Sequence, residues 1–188
     1  MRLNTANVLT LLRVVLVPVL IGVYLSDLAW ANLLATGIFI VAAVTDWADG
    51  YLARRFGQTS RFGAFIDPVA DKLMVASVLV LLVGHYADIW VTLAAIVIIG
   101  REITISALRE WMAEIGERAT VKVATIGKIK TGMQMTALGF LLYEHDALML
   151  PVFSIGLGLL VVAAALTLWS MLLYLKAAWP IMMSKENS

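Results

Sequence analysis

Residues 45–72 read TDWADGYLARRFGQTSRFGAFIDPVADK and set Asp46, Asp49, Asp67 and Asp71 beside long apolar runs. Asp46, Asp49, Gly50 and Ala53 are spaced i, i+3, i+4 and i+7, which is one face of a helix. Gly63, Asp67 and Asp71 are spaced i, i+4 and i+8, one face of a second helix. Two helix faces, each with two carboxylates and a glycine, are joined by a short polar turn at 57–61. Four carboxylates held together at the edge of a membrane need positive charge among them. Pro68 allows two local geometries. It can sit in a first turn with Asp67 as N-cap, or inside a helix that begins near Arg61. The shared face of Gly63, Asp67 and Asp71 requires the second.

Outward from this stretch the chain is too apolar for a soluble domain. It has 188 residues, of which 62% are hydrophobic and only 14% charged, and a mean hydropathy of +0.92. A water-exposed surface would need more charge than that. The apolar residues come in runs close to the roughly 20 that cross a hydrocarbon core. Spans are predicted at 8–26, 28–44, 65–85, 89–108, 128–143 and 150–174. The second is expected to continue as helix to about Phe56 and the fourth to Glu114, with a polar connection at 115–127 and a C-terminal tail after 174. The first run follows Arg2 with no small-residue cleavage site, so it is expected to remain as a membrane helix. Without cysteine, no disulfide or thiolate metal site can form.

The expected fold is thus an all-α integral membrane protein, one domain over 1–188 with six transmembrane helices. All fourteen Lys and Arg residues fall at the N-terminus, in 45–72, in 101–130 or in the tail. The three alternate connections carry none. By the positive-inside rule both termini and the four aspartates face the cytoplasm. His85 and His145 fall at the opposite face.

Three readings compete for the aspartates. They could be solvated charges paired with Arg54, Arg55, Arg61 and Lys72. They could mark a cation or proton path. They could ligate divalent ions, since hard cations such as Mg²⁺ take carboxylates, water and substrate phosphate, and two such ions clamp a displacement at phosphorus. The neighbours favour the last. Gly50, Ala53 and Gly63 leave room for a ligand against the backbone, and Arg54 suits a phosphate better than a cation. A second basic cluster on the same side, Arg101, Arg109, Arg118, Lys122, Lys128 and Lys130, suggests a second phosphate-bearing substrate.

The pattern Asp46-x-x-Asp49-Gly50-x-x-Ala53-Arg54, eight residues, Gly63-x-x-x-Asp67-x-x-x-Asp71 resembles the full signature of the CDP-alcohol phosphotransferases, and the length and six-span layout resemble that family too. The resemblance implies transfer of a phosphatidyl or related group from a CDP-activated donor to an alcohol, with release of CMP. It implies a bacterial inner-membrane homodimer using Mg²⁺ or Mn²⁺, two ions by its pattern. Asp46, Asp49, Asp67 and Asp71 would hold metal, and Asp71 would take the proton of the attacking alcohol unless it is simply a further ligand. Asp49, Gly50, Ala53, Arg54 and Gly63 would receive the CDP group. Asn7-x-x-Thr10-x-x-Arg13, Gly100-Arg101-Glu102-Ile103 with Leu108-Arg109, and Gly127-Lys128-x-Lys130-Thr131 resemble the bacterial branch that joins CDP-diacylglycerol to sn-glycerol 3-phosphate.

For the acceptor phosphate the expected set is Arg109, Lys128 and Lys130, then Arg101. Lys128 and Lys130 are two apart, so on one helix they diverge. Arg13 reads either as an interfacial snorkel or as a site residue. Other acceptors of the same chemistry are inositol phosphate, serine or phosphatidylglycerol; a divalent-cation transporter is the rival from another class.

Overall fold

The computed structural model describes residues 5–56, 61–116, 124–145 and 150–186. They form six α-helices: α1 (Thr5–Tyr24), α2 (Ala31–Phe56), α3 (Arg61–Tyr86), α4 (Ile89–Glu114), α5 (Ala124–Tyr143) and α6 (Val152–Glu186). A chain this apolar has helices as its economical answer, because each segment satisfies its own backbone polar groups. Hydroxyls inside the helices follow the same logic. Thr36, Thr104, Thr136 and Thr167 donate to the carbonyls of Asn32, Gly100, Gly132 and Ala163, one turn back, at 2.6–2.9 Å.

Several boundaries follow the sequence closely. α2 runs unbroken from its apolar half through the Asp46–Arg54 motif to Phe56. α3 begins at Arg61 and contains Pro68, so the second of the two proline geometries is the one adopted. α4 starts at Ile89 because Asp88 caps it: Asp88 Oδ1 accepts from the backbone N–H of Trp90 at 2.8 Å and of Val91 at 3.1 Å. Other boundaries differ. α5 begins at Ala124, inside the stretch expected to be a connection. α6 continues through the tail to Glu186 with Pro180 inside it. Its 35 residues span about 52 Å at 1.5 Å each.

α1 packs on α2 and α3, α5 on α6, α2 and α3, and α4 on α6 and α3. The shared core is built mainly of apolar side chains, with Leu20, Phe39, Leu79, Leu82, Ile98, Leu138, Leu141 and Leu160 at 2% exposure or less. The outside is apolar as well. Val15, Ile40, Val80, Ile96, Trp169 and Leu172 are all exposed on mid-helix surfaces, as expected of a surface that meets lipid instead of water. By length and composition, α4 and the Val152–Pro180 part of α6 can each cross a membrane; Val8–Tyr24 and Ala31–Asp46 are shorter apolar segments.

α6 lies tight against α5 at Gly156, where an added Cβ would lie 3.0 Å from Leu141 Cγ and 3.1 Å from Phe140 Cβ. Small residues permit such approaches between membrane helices. Gly156→Val is therefore expected to destabilise the bundle by about 1–3 kcal/mol through overpacking, read as a lowered midpoint of thermal unfolding in detergent. Gly158→Val, with open space around it, serves as the control.

At the end of the bundle away from the aspartates, His85 and Glu144 pair at 3.0 Å and Asn32 donates to the same carboxylate. This contact ties α2, α3 and the end of α5 together. It is the position expected for His85, remote from the signature.

Candidate active site

The signature carboxylates are brought together by a helix outside the signature. Thr10 and Arg13, three apart on one face of α1, are 1% and 2% exposed. Arg13 Nη1 donates to Asp46 Oδ1 of α2 at 2.8 Å, and the same nitrogen donates to Asp71 Oδ1 of α3. Thr10 Oγ1 donates to Asp67 Oδ1 at 2.5 Å. Thus three carboxylates from two helices are gripped by one turn of α1. Gly63, on the α3 face that carries Asp67 and Asp71, is buried. Asp49, Gly50, Ala53 and Arg54 ride on the same stretch of α2, but their surroundings lie outside the described residues.

The burial is uneven. The Arg13 side chain is 3% exposed, whereas those of Asp46 and Asp71 are 49% and 46% exposed. The carboxylates open to solvent on one side and rest on a buried cation on the other. The donor set, carboxylate oxygens with a threonine hydroxyl, fits a hard divalent cation. Two carboxylate oxygens from different helices already meet at one cationic nitrogen. Among the described residues, no group of three His, Cys, Asp or Glu side chains lies close enough to hold an ion by itself.

Lys72, next to Asp71, does not pair with the aspartates. Its ammonium donates to Ser106 Oγ of α4, and Ser106 donates to the Glu102 carbonyl at 2.6 Å. The Glu102 carboxylate pairs with Arg101 at 2.6 Å. Lys130, on α5 and 5% exposed, feels the charges of both Arg101 and Glu102. These contacts link Lys72 of α3 to α4, and the charges of the Arg101–Glu102 pair reach Lys130 of α5. They bring Arg101 and Lys130, two of the expected acceptor residues, into one neighbourhood. Arg101 Nε is buried without a hydrogen-bond partner, an available donor in that neighbourhood.

Of the other two expected acceptor residues, Arg109 is engaged elsewhere. Arg109 is exposed, donates to Tyr174 OH of α6 at 3.2 Å, and sits over its ring at 5.5 Å. Lys128 is also on α5, about 200° around the helix from Lys130; its side chain lies outside the described residues. The partnership of Thr10 with Asp67 is not visible in the sequence, although Thr10 and Arg13 stand at helical spacing with each other.

A groove of about 610 Å³ between α2, α5 and α6 starts at Ala43 and Val44, just before Asp46, and runs past Phe39, Ile40, Met135 and Phe140 towards Tyr143. Its lining is almost wholly apolar.

The fold and this arrangement of carboxylates coincide with a family match over residues 3–177, and the chain belongs to the CDP-alcohol phosphatidyltransferase family. Near full-length relatives are closely similar. A protein of Salmonella choleraesuis (strain SC-B67) is 54% identical over 178 residues, 95% of this chain and 96% of its own length. Proteins of Shigella flexneri serotype 5b (strain 8401) and Escherichia coli (strain K12) are each 54% identical over the same shares. All three bear the name CDP-diacylglycerol–glycerol-3-phosphate 3-phosphatidyltransferase.

Proposed function

We propose that this protein transfers the phosphatidyl group of CDP-diacylglycerol to sn-glycerol 3-phosphate, giving phosphatidylglycerol phosphate and CMP. One observation carries the reading. Asp46 of α2 and Asp71 of α3 meet around a single cationic nitrogen and are half-exposed on the side away from it. The 54% identity to enzymes bearing that name supports the choice of acceptor.

Asp46, Asp49 and Asp67, with Asp71 beside them, would hold divalent ions, Mg²⁺ or Mn²⁺. When bound, such ions neutralise the donor diphosphate and make CMP a better leaving group. Gly50, Ala53, Arg54 and Gly63 receive the CDP group. Asp71 accepts the proton of the glycerol hydroxyl as its oxygen bonds to the phosphatidyl phosphorus. The phosphorus–oxygen bond to CMP breaks, and its electron pair leaves on the CMP phosphate. Arg101 and Lys130 hold the acceptor phosphate. The groove beginning at Val44 gives the donor's acyl chains an apolar wall next to the carboxylates.

In this reading the chain is one membrane domain of six spans in the bacterial inner membrane. Its termini and site face the cytoplasm, and it works as a homodimer. The charge distribution supports the orientation. A cation path is disfavoured because, towards the end away from the aspartates, α5 and α6 offer few polar side chains beyond Thr136 and Ser154.

The test is CMP release by the purified protein in detergent with Mg²⁺ or Mn²⁺, CDP-diacylglycerol and a panel of alcohols. Glycerol 3-phosphate is expected to be the productive acceptor. Release with serine or inositol phosphate alone would overturn the acceptor. No release with any alcohol, together with ion flux in liposomes, would overturn the reaction class.

A further inference from the structure

The position of Arg13 has a consequence for metal binding. A guanidinium buried to 2% exposure is costly unless its charge is matched. Asp46 and Asp71, half-exposed, would be comfortable in water without it. The burial therefore makes the arginine the dependent partner. Its Nη1 sits where the two carboxylate oxygens of α2 and α3 converge, the place from which one cation can engage both helices. Two carboxylates drawn to a common point repel each other, and the guanidinium offsets that repulsion with a charge built into the chain.

We propose that Arg13 is the resident countercation of the signature carboxylates when they hold no metal, and that it competes with a divalent ion for the oxygens of Asp46 and Asp71. The assignment rests on the reading of those two residues as metal ligands. Arg13 keeps α1, α2 and α3 assembled around an open site, and it weakens the site's hold on the ion. Like charges a few ångströms apart repel by several kcal/mol even at an effective dielectric constant of about 20, so the ion and the guanidinium cannot share the same two oxygens without cost. The guanidinium must give up at least one of Asp46 and Asp71 as an ion enters. It is then positioned at the edge of the donor site, where guanidinium pairs well with phosphate oxygens.

The competition is measurable without turnover. Wild type, Arg13→Gln and Arg13→Lys are purified in detergent, stripped with chelator, and titrated with Mn²⁺ alone, free ion being followed by electron paramagnetic resonance. Thermal unfolding is recorded in chelator and in saturating Mn²⁺. Arg13→Gln is expected to bind Mn²⁺ about tenfold more tightly than wild type or better. It should unfold at a lower temperature in chelator, with most of the difference restored by Mn²⁺. Arg13→Lys, which keeps the charge, should stay near wild type in affinity. If Arg13→Gln folds only with metal, it is purified in Mn²⁺ and its affinity is read by back-titration with a competing chelator.

Weaker binding by Arg13→Gln would mean that Arg13 orients the ligands and does not compete, and would overturn the proposal. Unchanged binding would overturn it as well while leaving the metal reading standing. Absence of Mn²⁺ binding in wild type and both variants would overturn the reading of Asp46 and Asp71 as ligands, and the proposal with it.

Discussion

Asp71→Asn is expected to lower kcat by about a thousandfold, within the range for loss of a positioned general base, while the protein stays folded with a cooperative thermal transition. The fold should survive because asparagine keeps an oxygen that accepts from Arg13, and Arg13 also keeps its bond to Asp46 at 2.8 Å. What asparagine cannot do is take a proton from an alcohol. The carboxylate is open enough to do so, with its side chain 46% exposed although its partner Arg13 is buried. Mn²⁺ affinity separates the two roles available to Asp71. Loss of turnover with metal affinity retained identifies a base alone; loss of both identifies a group that also holds the ion. Asp49→Asn should also abolish turnover and, on the metal role proposed for Asp49, lower Mn²⁺ affinity. Full activity in either variant would remove that residue from the chemistry.

The helices were largely legible in the sequence because a membrane leaves the backbone few choices. α4 begins at the apolar residue that follows its capping Asp88 and ends where a helical continuation is expected. α2 and α3 carry the signature at spacings that only helices put on one face. Pro68 was ambiguous in the sequence, and the structure resolves it: α3 begins at Arg61, so Gly63, Asp67 and Asp71 share one helix.

Contacts between helices were less legible. Spacing identifies neighbours on one helix, but it does not say what another helix brings. Arg13 read equally well as a snorkelling side chain, and only the packing of α1 on α2 and α3 makes it the partner of Asp46 and Asp71. Lys72 seemed an obvious partner for the aspartates from its place in the sequence, yet it reaches across to Ser106. The start of α5 at Ala124 carries no strong signal, and it decides whether Lys128 and Lys130 share a site or diverge. Arg109 stood ahead of Arg101 as an acceptor residue in the sequence, and its ring contact with Tyr174 sets it apart.

That divergence makes Lys130 the second decisive position. Lys130→Met is expected to raise the KM for glycerol 3-phosphate by about 10- to 100-fold, the value of a charged hydrogen bond to a phosphate, while changing the KM for CDP-diacylglycerol by no more than a few-fold. Methionine keeps the unbranched stem that packs in the bundle and removes only the charge. The effect should be large because Lys130 is 5% exposed and lies beside another cation, Arg101. Two positive groups in one partly dehydrated place are costly to maintain with only Glu102 between them. An incoming dianionic phosphate relieves that cost, whereas a neutral acceptor such as serine would not. Arg101→Ala should act in the same direction, and the double variant should show less than the sum of the two effects, since both serve one phosphate. Arg109→Ala should have a much smaller effect on the acceptor KM, because its guanidinium rests on Tyr174 at the exposed side of α4. If Lys130→Met weakened both substrates equally, Lys130 would be part of the general field of the site and the acceptor phosphate would have to be held elsewhere, with Lys128 the next residue to test.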